Sequence, residues 1–173
     1  MTGKEFFVAD LHFGGETIIR YEKRPFASAE EMDRALTERW NAVVGPEDTV
    51  YVLGDFSMYQ DDAKDRELLE ALHGRKILIM GNHDLHRTPE KWRKLGFAEC
   101  SPWPIVYREF YLLSHEPMYI NSNMPYANVY GHVHNNPSYR DASPQSVCVS
   151  VERIGYQPIL FEDIKEKIIR TQE

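Results

Sequence analysis

Cysteine is scarce in this chain: Cys100 and Cys148 are the two in 173 residues, and they form no CxxC or Cys/His spacing. A disulfide framework is therefore not expected, and a reducing, cytoplasmic setting is. Long apolar runs are missing as well. None approaches the ~18 residues of a membrane span. The opening MTGKEFFVADLHF lacks the extended apolar stretch and small-residue cleavage site of a signal peptide. Positive charge is the third shortage. With 20 Lys+Arg against 27 Asp+Glu the net charge is −7, which argues against a protein that lives on a nucleic-acid backbone. It leaves room for an enzyme that meets phosphate through bound cations. What is present is ordinary globular composition, 42% apolar and 27% charged. No repeat, low-complexity tract or linker divides the chain, so one domain over residues 1–173 is expected, large enough to bury roughly 68–70% of its unfolded surface.

Strands and helices alternate in the first half. Glu5 to Ala9 is a short apolar run, and Thr49 to Leu53 and Lys76 to Met80 are two more. Ser28 followed by Glu31 has the form of a capping box, with Met32, Leu36, Trp40 and Val43 behind it at helical spacing. Asp61 to His73 carries Leu68, Leu69 and Leu72 on one stripe. Strands cluster in the second half: Pro104 to Tyr107 with Phe110 to Leu113 as a hairpin, then Ala127 to Tyr130, Ser146 to Val151 and an edge strand over Pro158 to Phe161. An amphipathic helix over Glu162 to Arg170 closes the chain, and Asn121 to Pro125 and Asn135 to Gln145 read as surface loops. This order predicts an α/β layered sandwich rather than one doubly wound sheet.

The polar residues fall where these strands end. Asp10 and His12 follow the first, Gly54-Asp55 the second and Gly81-Asn82-His83-Asp84 the third. Ser114-His115-Glu116-Pro117 and Gly131-His132-Val133-His134 follow two strands of the second half. Five of the seven histidines lie in these motifs. A single Asp-x-His is common in proteins where it does nothing. The ordered set DxH, GD, GNHD, SHEP and GHVH is specific, because loops beyond the carboxyl ends of strands can converge on one crevice.

That set resembles the calcineurin-like metallophosphoesterases, from Phe7 to about Val151, and DLHFGGETIIRYEKRPF is similar to small phage and bacterial members. The resemblance implies a metallophosphoesterase-like sandwich of two packed β-sheets flanked by helices. It also implies a site for two divalent or mixed-valence transition-metal ions. Carried onto this sequence, Asp10, His12 and His134 would bind one ion, Asn82, His115 and His132 the other, and Asp55 would bridge them. His83 would be the non-ligand histidine that meets the phosphate or leaving group, oriented by Asp84. Oxygen and imidazole donors without thiolate suit Mn, Fe, Zn, Co or Ni, with Mn the choice for assay. Two such ions clamp the attacking and leaving oxygens of an in-line displacement and lower the pKa of bound water. Relatives often continue DxHFG with another histidine. Here Gly14-Gly15-Glu16 stands instead, and Gly15 is read as an opening in the pocket wall.

Around this set lie residues with less specific patterns. Arg20, Lys23 and Arg24 form a basic cluster, read as a substrate-phosphate clamp through Arg20 and Arg24 or as a solvated loop paired with Glu22 or Glu30. His86 and Arg87 read as a surface turn rather than the pocket rim, Trp40, Trp92 and Trp103 as packing aromatics, and Cys148 as a buried, inert strand residue. The expected function is a metal-dependent phosphoesterase acting on a phosphodiester or small nucleotide-type ester. The alternatives are a phosphomonoesterase or nuclease with the same site, and a non-catalytic scaffold. The expected partner is a small phosphate ester, with nucleic acid not favoured and no membrane or partner protein indicated.

Overall fold

The computed structural model describes residues 3–121, 123, 126–138, 143 and 145–170. Its elements run β1 (Glu5–Val8), α1 (Glu16–Tyr21), α2 (Ala29–Val43), β2 (Thr49–Leu53), α3 (Asp62–Ala71), β3 (Arg75–Ile79), α4 (Pro89–Leu95) and β4 (Glu99–Ser101). Then follow β5 (Ile105–Tyr107), β6 (Tyr111–Leu113), β7 (Ala127–Tyr130), β8 (Ser146–Cys148), β9 (Ile159–Leu160) and α5 (Phe161–Arg170). Strands β4-β3-β2-β1-β9 form one sheet and β5-β6-β7-β8 a second. β1 to β4 are parallel with β9 antiparallel at the edge, while β6, β7 and β8 are parallel with β5 antiparallel. Two mixed sheets flanked by helices make the α/β sandwich that the sequence predicts.

Strand alternation decides which core each residue enters, because successive side chains point to opposite faces. Phe6, Val8, Val50, Val52 and Leu78 face the helices, where Met32, Leu36 and Trp40 of α2, Leu69 of α3 and Trp92 of α4 meet them. Phe7, Leu53, Ile77 and Ile79 face the second sheet, packing with Tyr107, Leu113, Val129 and Val147 and with Phe161 and Ile164 of α5. The helices that connect parallel strands β1 to β4 thus share one face of the sheet, as same-handed crossovers require. Ser28 caps α2 by accepting the Glu31 amide at 3.2 Å. Trp40 donates its indole N–H to the His73 carbonyl at 3.0 Å, and Trp92 donates to the Asp84 carbonyl at 3.0 Å, tying α4 to the GNHD turn.

Several local expectations need correction. The run Ser146 to Val151 is not one strand: β8 stops at Cys148, and Val151–Arg153 forms a 3₁₀ turn. Its backbone changes partner there, because the Val149 amide donates to Tyr130 in the second sheet whereas the Val151 amide donates to Ala9 beyond β1. The two sheets are stitched together at that point. The short elements α1, α4 and β4 were not anticipated, although Thr88 caps α4 and Pro89 opens it. Trp103 is 74% exposed and packs no core. Arg87 is buried rather than on a surface turn, paired with Asp62 and Asp65 and lying over the Trp92 ring. Cys148 is buried as expected, and burial pushes its thiol up to about 11. The loops expected over Asn121 to Pro125 and Asn135 to Gln145 lie partly outside the described residues. Among the described residues no helix is long and apolar enough to cross a membrane.

Candidate metal centre

The motifs follow the carboxyl ends of β1, β2, β3, β6 and β7, and the folded chain brings them to one edge of the sandwich. The turns that do this are unusual. Asp10, His12, Asp55, His132 and His134 all have positive φ, between 47° and 69°, a region that costs a non-glycine residue of order 1–3 kcal/mol. Backbone bonds hold them there: the Asp10 amide donates to Gly54 at 3.0 Å, His12 to Asp55 at 2.9 Å and Gly131 to His115 at 2.9 Å. The glycines permit the close approach. A Cβ at Gly54 would lie 2.2 Å from His115 Nδ1, and one at Gly81 would lie 2.4 Å from Asp55 Oδ1.

These motifs form two candidate ligand groups. In the first, donor atoms of Asp10, His12 and His134 lie within 4.8 Å of one another. In the second, Asp55, His115 and His132 do the same. Asn82 Oδ1 adds to it, 3.1 Å from His115 Nε2 and 3.2 Å from His132 Nδ1. One oxygen stands between the groups: Asp55 Oδ2 is 3.5 Å from His12 Nε2 and 3.4 Å from His115 Nε2. The donor set fits cations. His12 Nε2 is buried without a hydrogen-bond partner, and His132 Nδ1 faces His115 Nε2 at 3.1 Å with the Asn82 oxygen against both. Burial holds the His12 imidazole down to about 3, in the neutral form that binds metal. Burial opposes the charge on Asp55, but His115 and His12 outweigh it and keep the carboxyl down at about 2.

Around the ligands lies a supporting set. Asp10 accepts the His132 amide at 2.9 Å and the Ser150 hydroxyl at 2.6 Å. Asp55 Oδ1 accepts the His83 amide at 2.9 Å, and the Leu53 carbonyl holds His115 Nδ1 at 2.9 Å, turning Nε2 to the site. Glu152 holds His134 Nδ1 at 3.0 Å, as outer carboxylates commonly do for metal-binding histidines. Neither Glu152 nor Ser150 was singled out in the sequence, where Ser150 lies inside the run Ser146 to Val151 and Glu152 directly follows it.

Four expected roles change. Asp84 does not orient His83. Its buried carboxylate accepts the amides of Gly81 and Asp55 at 2.8 Å and of Phe56 at 3.0 Å, locking the Asp55 and Asn82 turns together. Burial, reinforced by Asp55, pushes that carboxyl up to about 7 against the three amides. Arg24 is not a surface clamp: its side chain is 0% exposed. It donates to the Asp10 carbonyl at 2.7 Å, to Leu11 at 2.9 Å and to Glu152 at 2.8 Å, so no face is left for a substrate. Arg20 is exposed on the last turn of α1 and does not line the cavity beside the ligands. His83 does line that cavity, with its ring 5.2 Å from the His12 ring, centroid to centroid. Gly15 lines it too, but a Cβ there would lie 2.8 Å from the His12 carbonyl, so close packing accounts for this glycine.

Comparison with known proteins agrees with this geometry. Residues 6–166 match the model of the calcineurin-like phosphoesterase family. The chain is 35% identical over 178 positions to protein MJ1445 of Methanocaldococcus jannaschii, covering 97% of this chain and 96% of that one. The gene 66 protein of Mycobacterium phage L5 is 40% identical over 82 positions, which is 46% of this chain and 39% of the phage protein. Among solved structures, AQ665 from Aquifex aeolicus superposes with a TM-score of 0.73 at 27% identity, over 95% of this chain and 98% of that one. Nuclease MPE of Pseudomonas putida shares the fold, with a TM-score of 0.52 at 23% identity over 75% of this chain and 61% of that one.

Proposed function

The chain belongs to the calcineurin-like phosphoesterase family, and on that premise we propose that it hydrolyses a small phosphodiester at a two-metal site. The observation that carries this reading is the position of Asp55 Oδ2, within 3.5 Å of a histidine from each ligand group. Asp10, His12 and His134 would hold one ion, Asn82, His115 and His132 the other, and Asp55 would serve both. Divalent ions bound there, for example manganese, supply charge for the phosphate oxygens and acidify water.

The chain's own residues supply the rest. Strained turns fixed by backbone bonds present the ligands without reorganisation. His83 is free to hold a proton at the leaving oxygen, because its amide is spent on Asp55 while its ring borders the open cavity. Asn82, His83 and His132 are exposed, so the site is open enough for a phosphate with two substituents. Both cysteines are free, which suits a cytoplasmic enzyme.

The test is hydrolysis of bis-p-nitrophenyl phosphate beside p-nitrophenyl phosphate, using metal-stripped protein with Mn²⁺ restored. Faster diester turnover is expected. A monoester preference would overturn the diester reading, and cleavage of neither with Mn, Fe, Zn, Co or Ni would favour a scaffold. His83→Ala should lower kcat by roughly 10²–10⁴-fold, the span of general acid catalysis, with bound metal unchanged by elemental analysis. Loss of metal along with activity would instead make His83 a ligand.

A further inference from the structure

The cavity on the His12 side of the metal centre has a volume of about 460 Å³, and beyond the histidines its wall includes Thr17, Ile18, Tyr21 and Met58. That volume lies in the range of small-molecule pockets. Tyr21 is 80% exposed, so most of its ring is open. Glu16 borders the cavity, with Oε1 occupied by the Ala29 amide at 2.8 Å. A second cavity, about 410 Å³, flanks the centre on the His132 side, with Glu22 and Glu116 in its wall and Tyr21 shared between the two.

Among the described residues, neither cavity has a lysine or arginine in its lining. Arg24 turns beneath the centre and is fully engaged there, while Arg20 and Lys23, exposed beside Tyr21 in sequence, line neither cavity. A polynucleotide presents a further phosphate at every step and is held by lysine and arginine along its path. Here the flanks offer carboxylates on one side and an apolar wall on the other, and both disfavour a second anion. An uncharged planar group meets the opposite conditions: Tyr21 provides a ring to stack on, and Met58 a thioether suited to aromatic contact.

We propose that the cavity lined by Thr17, Ile18, Tyr21 and Met58 is the subsite for an uncharged aromatic substituent on a substrate carrying a single phosphodiester. This rests on the phosphoesterase reading above and narrows its substrate class. The test is calorimetric titration of the Mn²⁺-loaded protein with diphenyl phosphate and with dimethyl phosphate, monoanions that differ only in the substituent. Diphenyl phosphate should bind about ten-fold tighter or more, the effect of burying part of one phenyl ring. Tyr21→Ala should bring the ratio close to one while leaving dimethyl phosphate binding unchanged, and Tyr21→Phe should preserve it.

Equal binding of the two esters, or the same ratio in Tyr21→Ala, would overturn the assignment. So would affinity for oligothymidylate that rises with its length, which would reveal a polyanion track. Turnover of bis-p-nitrophenyl phosphate, measured in parallel, separates the two readings. A binding preference without turnover under any metal counts against the phosphoesterase alone, and turnover without the preference counts against the subsite alone.

Discussion

Asp55→Asn should lower kcat/KM by about three powers of ten and strip the purified protein of most of its metal. The substitution exchanges a carboxylate for an amide of nearly the same shape, so what it removes is charge. One oxygen of that carboxylate lies 3.5 Å from His12 Nε2 and 3.4 Å from His115 Nε2, one histidine from each ligand group. In the proposed two-metal site, a neutral oxygen there would leave the two cations without the anion between them. Metal-borne stabilisation of transition-state charge is worth several kcal/mol, and each ~1.4 kcal/mol is a factor of ten in rate.

The fold should survive. The positive φ of 56° at position 55 is one that asparagine accepts as readily as aspartate, and the side-chain oxygen can still accept the His83 amide. Elemental analysis beside a steady-state assay checks the prediction, with circular dichroism as the control for folding. A folded variant that keeps its metal and turns over within ten-fold of the parent would remove Asp55 from the bridging position.

The residues gathered at the candidate metal centre were legible because each is local. An apolar run reads as a strand from its own composition, and the polar residues that matter stand within a few positions of its end, as Asp10 and His12 do after β1 and His115 does after β6. The alternation that sorts Phe6 from Phe7 and Val50 from Tyr51 between two cores is equally local. What was not legible depends on contacts far apart in the chain. Arg24 meets Glu152 across 128 positions and Ser150 meets Asp10 across 140, and no spacing rule reaches that far. The basic cluster RYEKR looks the same whether its last arginine faces solvent or turns beneath a loop. Asp84 misled for a related reason. Adjacency to His83 suggested a partnership, whereas the turn sends its carboxylate to the backbone amides of a different strand end.

Arg24→Ala therefore tests a position that sequence and structure describe differently. As a clamp, Arg24 would leave stability alone and raise KM. As the buried hub seen here, it should do the reverse. Its guanidinium is shared among the Asp10 carbonyl, the Leu11 carbonyl and Glu152, and Glu152 is itself only 3% exposed with its second oxygen unpartnered. Burial opposes the charge on Glu152, while His134 and Arg24 pull its carboxyl below the usual range. Deleting the arginine leaves that charge buried with His134 as its remaining partner. Breaking a buried pair in this way costs about 3–5 kcal/mol, and for a domain of this size that lowers Tm by about 10 °C. The damage should reach the metal, since His134 is held by Glu152, and loss of such outer contacts typically weakens binding ~10–100-fold.

Thermal denaturation with a metal titration reads both effects, and the pair can be isolated by a cycle with Glu152→Gln. The double variant removes both charges together, so it should be less destabilised than the sum of the two single changes. Additive losses would mean that Arg24 acts through the two carbonyls alone. An unchanged Tm with a raised KM would return it to the substrate.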